Sequence, residues 1–203
     1  MLRITGGTLR GRLLKTSKAG GVRPTQDAVR EALFSMLAEC VCGSVFVDLF
    51  GGTGSVGIEA WSRGAASVTW VEANKNVAHV LSENVKALCK GEGRIIQADV
   101  LHWLQREERR KNDFDQESGK AGICQADIIF ADPPYGDGRT DDRLEEIMTL
   151  CATSGLLKPD GIFIAEQRAT APSLSVPDYT LITARRYGQT RLSLFRNSIG
   201  RGE

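Results

Sequence analysis

The residues Asp132-Pro133-Pro134-Tyr135 combine a carboxylate, two prolines and an aromatic ring directly after the apolar run 126–131. A proline has no backbone N–H, so this corner offers carbonyl oxygens as hydrogen-bond acceptors beside the carboxylate. The apolar run is typical of a buried parallel strand, and open α/β sheets bind ligands at the carboxyl ends of such strands. These four residues are therefore candidates for binding a planar group that bears an NH2.

A second candidate site is the glycine-rich segment 52–57, which lies between a predicted strand and a predicted helix and has the form GxGxxG. Its glycines permit a tight turn and let a ligand approach the backbone at a helix N-terminus. Glu72, at the end of the next predicted strand, is placed to accept hydrogen bonds from two ribose hydroxyls. The pattern predicts a cofactor that contains a nucleoside, and both NAD and S-adenosylmethionine (SAM) satisfy it.

Two further acidic residues favour SAM. Asp48, within the first predicted strand, can bind the amino group of a methionine moiety, whereas its charge would repel a pyrophosphate. Asp99, after the third strand, can accept a hydrogen bond from an adenine amino group. We therefore predict SAM as the cofactor, with these binding residues: Asp48, Phe50, Gly51, Gly52, Gly54, Gly57, Glu72, Ala73, Asp99 and Val100.

Charge is distributed unevenly along the chain. Residues 1–26 contain six basic residues and no acidic one, and the rest of the chain carries a net charge of −5. This asymmetry predicts a polyanionic partner, although a solvated, flexible terminus explains the same pattern. Glycines between the cations would let the segment follow a phosphate backbone closely. The candidate nucleic-acid contacts are Arg3, Arg10, Arg12, Lys15 and Arg23.

Composition predicts one soluble, cytoplasmic domain. The 203 residues are 41% hydrophobic and 25% charged, and they contain neither an apolar run of membrane-spanning length nor a signal-peptide core. The five cysteines are scattered without a CxxC pair, and the two histidines have no partner at metal-ligand spacing, so we expect no metal site.

The order of the predicted elements indicates a doubly wound α/β fold. A basic extension over 1–26 precedes an amphipathic helix over about 26–38, and strands then alternate with helices within a single domain over 1–203. We predict a turn at 157–161 and a mostly parallel sheet that ends in an antiparallel hairpin. The predicted strands are 45–50, 67–72, 94–98, 126–131, 162–166, 179–186 and 191–196.

Together, segment 48–54 and the Asp-Pro-Pro-Tyr corner resemble the Rossmann-like, SAM-dependent amino-methyltransferases. More narrowly, the chain resembles the bacterial 16S rRNA guanine-N2 methyltransferase family called RsmD. The blocks that carry this resemblance are 3–7 with 10–12, 23–25 with 29–34, 57–60 with 62–65, and Tyr187-Gly188-Gln189-Thr190 with Leu192.

The resemblance implies methylation of the exocyclic N2 of a guanine in small-subunit rRNA. Asp132 and Pro133 would orient the amine, Tyr135 would stack on the base, and Pro134 would complete the catalytic corner. The expected partner is rRNA or an assembling small subunit, with no membrane and no metal involved, and we expect a monomer.

Three alternatives remain open at this point. The Asp-Pro-Pro-Tyr corner also occurs in adenine-N6 methyltransferases of DNA or RNA, but no separate target-recognition domain is evident. The glycine segment alone is compatible with an NAD-dependent oxidoreductase, although no convincing hydride-transfer acid accompanies it. The last alternative is an RNA-binding protein without enzymatic activity.

Overall fold

The structure is a computed structural model that describes residues 2–16, 27–116, 125–134 and 140–199, with side chains described except at 112–116 and 140–142. The chain divides into two compact units, residues 1–99 and 100–203. Each unit contains part of a mixed sheet whose strands alternate with helices.

The first unit contains three parallel strands in the order β3-β2-β1. The glycine-rich turn follows β1, and Glu72 is the last residue of β2. The elements are α1 (Asp27–Leu37), β1 (Val45–Asp48), α2 (Ser55–Ser62), β2 (Ser67–Glu72), α3 (Lys75–Leu88) and β3 (Arg94–Gln97).

Apolar side chains fix how the helices of this unit pack. Phe46 and Trp70, on neighbouring strands, are fully buried. Helix α3 buries Val77 and Leu81, which are four residues apart and thus lie on one face of the helix. Asn74 caps this helix by accepting hydrogen bonds from the N–H groups of the first turn. The end of β2 therefore leads directly into a capped and packed helix.

The second unit contains strands in the order β4-β5-β7-β6. Strands β4 and β5 are parallel, and β5, β7 and β6 pair in antiparallel fashion. The elements are α4 (Val100–Gln116), β4 (Ala126–Ala131), α5 (Thr140–Thr153), β5 (Leu157–Arg168), β6 (Tyr179–Tyr187) and β7 (Thr190–Asn197).

The prediction that residues 157–161 form a turn before the strand is wrong, because these residues lie inside β5. Pairing with β4 shifts register here, since Ala126 faces Leu157 whereas Ile128 faces Ile162. Asp160 has a φ of +63°, a left-handed conformation that is typical of turns. The turn residues therefore form an irregularity within the strand.

The predicted fold class is confirmed. Each strand of the described residues overlaps a predicted one, although β5 begins earlier than predicted and β1 ends two residues earlier. The mixed sheet is mostly parallel with antiparallel C-terminal strands. The helix predicted at about 26–38 is α1. No helix among the described residues is long and apolar enough to cross a membrane.

Candidate functional site

The glycine-rich turn between β1 and α2 closes through its own backbone. The Gly54 N–H donates to the Gly51 carbonyl at 2.7 Å, and the Gly51 N–H donates to the Val71 carbonyl at 2.9 Å. Gly52 and Gly54 have φ values of +52° and +93°. A Cβ on Gly54 would lie 2.7 Å from the Leu81 side chain, so both conformation and space require glycine there.

Gly57, the third glycine of the motif, lets a helix and a strand pack closely. A Cβ at this position would lie 2.1 Å from Nε1 of the buried Trp70, so glycine lets α2 pack closely against β2. The Gly57 N–H donates to Asp48 Oδ2 at 3.1 Å. Gly57 thus also holds the Asp48 carboxylate in position beside the first turn of α2.

Asp48 is buried at the end of β1, and its other oxygen, Oδ1, has no hydrogen-bond partner among the described residues. Burial raises the pKa of Asp48 to about 7, and the charge of Glu72 adds to the rise, whereas the N–H groups of Gly57 and Phe50 oppose it. A buried acceptor without a partner is costly. A ligand that brought a cationic donor to Oδ1 would remove this cost.

Glu72 joins the glycine-rich turn to the start of α3. Its Oε2 accepts a hydrogen bond from the Gly52 N–H at 2.9 Å, and its Oε1 accepts one from the Asn74 N–H at 2.7 Å. Each carboxylate oxygen has a second lone pair, so Glu72 can still accept hydrogen bonds from a ligand. The exposed Ala73 lies beside it.

The remaining predicted cofactor residues follow β3. Asp99 is half-buried at the end of the first unit, and Val100 is buried as the first residue of α4. The Ala98 N–H donates to the Glu72 carbonyl at 3.2 Å, which holds the end of β3 against β2.

The Asp-Pro-Pro corner lies in the second unit, directly after β4. Asp132 is half-buried, Pro133 is buried and Pro134 is exposed. Ala131, the last residue of β4, pairs with Ala165 of the parallel strand β5, so the corner begins at the carboxyl end of β4. Tyr135 lies outside the described residues.

The basic N-terminal segment folds back on itself between residues 2 and 14. Ile4 and Arg12 are joined by an N–H to carbonyl hydrogen bond of 2.9 Å, and Leu14 and Leu2 by one of 3.0 Å. The side chains of Arg3, Arg10, Arg12 and Lys15 are exposed. Arg3 and Lys15 form exposed ion pairs with Asp27 at 3.8 Å and Glu83 at 3.2 Å, which a polyanion would have to replace. Arg23 lies outside the described residues.

Gly6 and Gly7 do not make this segment free to follow the phosphate backbone of a nucleic acid, because both glycines are packed against other residues. A Cβ on Gly6 would lie 2.2 Å from the Arg63 guanidinium, and one on Gly7 would lie 1.9 Å from the Ser62 carbonyl oxygen. The Ser62 hydroxyl donates to the Gly6 carbonyl at 2.6 Å and accepts from the Leu9 N–H at 2.8 Å. These two glycines serve close packing against α2.

A buried ion pair that the sequence did not predict anchors the same segment. Arg30 Nε lies 2.6 Å from Glu59 Oε2, and neither side chain is exposed. Glu59 also accepts hydrogen bonds from Thr5 and Arg63. Burial alone would raise the pKa of Glu59, but these hydrogen bonds hold it below its ordinary value. Arg30 donates in turn to the Arg3 carbonyl.

Asn84 is a second residue that the sequence motifs do not predict, although its position carries a signal. It lies on the same face of α3 as Val77 and Leu81, where a polar residue is unexpected. Its amide accepts from the Lys15 N–H at 2.9 Å and donates to the Lys15 carbonyl at 3.0 Å. It also donates to the Thr53 carbonyl at 2.8 Å, so it links the N-terminal segment to the glycine-rich turn.

The structure thus brings Asp48, the glycine-rich turn and Glu72 together in the first unit, and it shows the Asp132 corner in the second. No cluster of three or more His, Cys, Asp or Glu residues suited to a metal ion occurs in the described parts of the chain.

Known proteins match this chain over nearly all of its length. A protein-family model described as Conserved hypothetical protein 95 matches residues 2–196. Ribosomal RNA small subunit methyltransferase D of Escherichia coli (strain K12) is 31% identical over 196 residues, covering 96% of this chain and 89% of that relative. The Haemophilus influenzae protein of the same name is 30% identical over 198 residues, covering 97% and 94%.

Solved structures give the same result. The yhhF protein of Escherichia coli has a TM-score of 0.79 at 28% identity, with coverage of 97% of this chain and 98% of that one. The Thermus protein TTHA0928 has a TM-score of 0.73 at 27% identity, with coverage of 96% and 98%. The chain therefore belongs to the Conserved hypothetical protein 95 family, the RsmD-like methyltransferases, as its sequence motifs predict.

Proposed function

We propose that this protein transfers the methyl group of SAM to the exocyclic N2 of a guanine in small-subunit rRNA. The observation that carries the proposal is the nearly full-length match to relatives named ribosomal RNA small subunit methyltransferase D. The acceptor-rich corner at Asp132 supports it, because an exocyclic amine is a hydrogen-bond donor. The choice of guanine N2 over other amines follows the family resemblance of the sequence blocks.

The first unit has groups that fit SAM. The unpartnered Asp48 Oδ1 suits an ammonium group, and the free lone pairs of Glu72 suit the two ribose hydroxyls. When bound, SAM would supply an electrophilic methyl group: the amine nitrogen forms the new N–C bond, the sulfur keeps the electron pair of the broken S–C bond, and the methylated nitrogen releases a proton to water. The proposed binding residues are Asp48, Phe50, Gly51, Gly52, Gly54, Gly57, Glu72, Ala73, Asp99 and Val100.

The second unit has groups that fit the amine of the target base. An exocyclic amine is a poor nucleophile, because its lone pair is delocalised into the ring. By accepting hydrogen bonds from the NH2, the Asp132 carboxylate and the Pro133 carbonyl would orient it, while Pro134 shapes the corner and Tyr135 stacks on the base. Positioning of this kind can supply about 7–11 kcal/mol in well-aligned systems.

The RNA must present its target base outside a helical stack, because the amine cannot reach a protein pocket from within one. We propose that cations of the N-terminal segment bind the surrounding phosphates. These residues are Arg3, Arg10, Arg12, Lys15 and Arg23.

Transfer of labelled methyl groups from SAM tests the proposal. Unmodified small subunits, free 16S rRNA and DNA would be offered in parallel, and the product nucleoside would be identified. We expect N2-methylguanine in the RNA samples and none in DNA. N6-methyladenine would overturn the choice of base, and the absence of transfer to either RNA substrate would overturn the function.

A further inference from the structure

The turn between β6 and β7 lies at the same edge of the second unit as the Asp132 corner. Sheet register aligns Ala131 with Ala165, Ala165 with Ser193, and Ser193 with Ala184. At about 4.8 Å per strand, Ala184 lies about 14 Å from Ala131. Strand β6 runs parallel to β4. Arg185 and Asp132 each come directly after one of the aligned alanines, so both residues lie on the same side of the aligned row.

The part of this edge that β5 and β6 form is basic. The side chains of Arg168, Arg185 and Arg186 are exposed, whereas Glu166, which faces the same edge, is buried. Arg185 and Arg186 are consecutive in β6, so they point to opposite faces of the outermost strand of this unit. We call Arg168, Arg185, Arg186 and the turn Gly188–Gln189 the hairpin surface.

The hairpin surface is held in place by several hydrogen bonds. The Ala169 N–H donates to the Gln189 carbonyl at 2.8 Å, and Arg186 Nε donates to the Gly188 carbonyl at 2.8 Å. Arg191 donates to the Ala171 carbonyl at 2.9 Å and to Gln167 Oε1 at 2.9 Å, which ties the end of β5 to β7. The exposed arginines are thus presented on a pre-ordered backbone, and a partner would not have to order it.

We propose that the hairpin surface binds the phosphate backbone of the rRNA strand that flanks the target base. This inference rests on the proposed function. Its separation of about 14 Å from the Asp132 corner is short enough for one RNA strand to reach both. Phosphate contacts fix the register of a protein on a nucleic acid, so this surface would help to select which base reaches the corner. It would also give a function to Tyr187-Gly188-Gln189-Thr190, the family block that cofactor and amine binding leave unexplained.

Charged side chains on an outer strand have another use, since they discourage pairing with other sheets. Comparison of the double variant Arg185→Gln/Arg186→Gln with the single variant Arg196→Gln separates RNA binding from protection against sheet pairing. Arg196 is exposed on the same hairpin, but it pairs with Thr180 at the opposite end of the strands. Affinity for in vitro transcribed 16S rRNA and for unmodified small subunits would be measured from 50 to 300 mM salt (roughly the range in which counterion release dominates).

We expect the double variant to bind both RNA probes more weakly and to lower the salt slope by about 1.4, or about 0.7 for each phosphate that the protein no longer neutralises. Its KM for RNA should rise while kcat and SAM affinity stay unchanged. The Arg196→Gln slope should match the unsubstituted protein. Equal slopes in all three proteins, or equal decreases of affinity in both variants, would overturn the hairpin surface as an RNA contact.

The two proposals fail in distinguishable ways. Methyl transfer by the unsubstituted protein tests the function without reference to β6. If N2-methylguanine forms and the double variant keeps its full salt slope, only the hairpin surface is wrong. Unchanged thermal unfolding of the double variant would exclude misfolding as the cause of weaker binding.

Discussion

Asn84 Nδ2 donates a hydrogen bond to the main-chain oxygen of Thr53 at 2.8 Å, across 31 residues of sequence. The same amide forms two hydrogen bonds with the backbone of Lys15. One buried side chain therefore holds both the glycine-rich turn and the end of the N-terminal segment. The two segments to which we assign SAM binding and RNA binding share this support.

Replacement of Asn84 with Ala removes all three hydrogen bonds and leaves the carbonyl of the buried Thr53 without this partner. We expect the free energy of unfolding to fall by about 1–3 kcal/mol. SAM affinity should weaken by up to about tenfold, because the turn at Thr53 loses its lateral support. Urea unfolding and calorimetric titration with SAM would measure both effects. The control is Asn76→Ala, at an exposed position on the same helix, and an equal effect in both variants would contradict the bridging function of Asn84.

The buried pair Arg30–Glu59 yields a prediction about stability. Arg30→Met removes the positive charge that pairs with the buried Glu59 carboxylate. We therefore expect the free energy of unfolding, measured with urea, to fall by about 3–5 kcal/mol. Lys15→Gln breaks an exposed ion pair of 3.2 Å with Glu83 and should cost less than about 1 kcal/mol. The double variant Arg30→Met/Glu59→Met should recover part of the loss, because it removes both fully buried charges, although Arg63 and Thr5 then lose Glu59 as an acceptor. Strictly additive losses would show that the two residues are not coupled.

Local spacing explains why much of this site could be predicted. Strand, glycine-rich turn, helix and Glu72 lie within a short stretch, and the contact of Glu72 with the Gly52 N–H spans 20 residues. The pairing of Arg30 with Glu59 depends on tertiary packing across 29 residues, and no local pattern encodes it. Gly57 shows the limit of a motif, since its place in GxGxxG predicts close helix–strand packing but does not identify Trp70 as the side chain that it contacts.

Asp48 predicts a pH dependence of stability. Its pKa is raised from 3.8 to about 7 by burial, so the folded state binds more protons than the unfolded state between these values. The contribution of Asp48 to stability is thus most favourable below about pH 4 and is lost as pH rises towards 7, with a slope of at most about 1.4 kcal/mol per pH unit.

Asp48→Asn isolates this contribution, because asparagine keeps an acceptor for the Gly57 N–H and does not titrate in this range. We expect the difference in unfolding free energy between the variant and the unsubstituted protein to grow in favour of the variant from about pH 4 to about pH 7. Urea titrations at several pH values would measure it. A difference that does not change with pH would refute the raised pKa. The variant should bind SAM more weakly, because the ammonium group of SAM would lose a charged partner.

Asp132 provides the test of the amine-binding corner. Asp132→Ala removes the carboxylate that we expect to orient the NH2, so kcat should fall by at least about 100-fold, the scale seen when a single positioned polar group is removed from an active site. SAM affinity should not change, because the proposed SAM contacts are other residues. Single-turnover transfer of a labelled methyl group and calorimetric titration with SAM would separate the two quantities.

The matched control for this test is Asp127→Ala. Asp127 lies on the same strand, β4, and its Oδ1 forms an ion pair of 2.6 Å with Lys158, near the opposite end of the strand. This variant should retain its turnover, because the ion pair that it breaks is partly exposed and lies away from the corner. Turnover near the unsubstituted rate in Asp132→Ala would exclude the carboxylate from the reaction. Equal losses of turnover in the two variants would instead indicate that β4 itself had been disturbed.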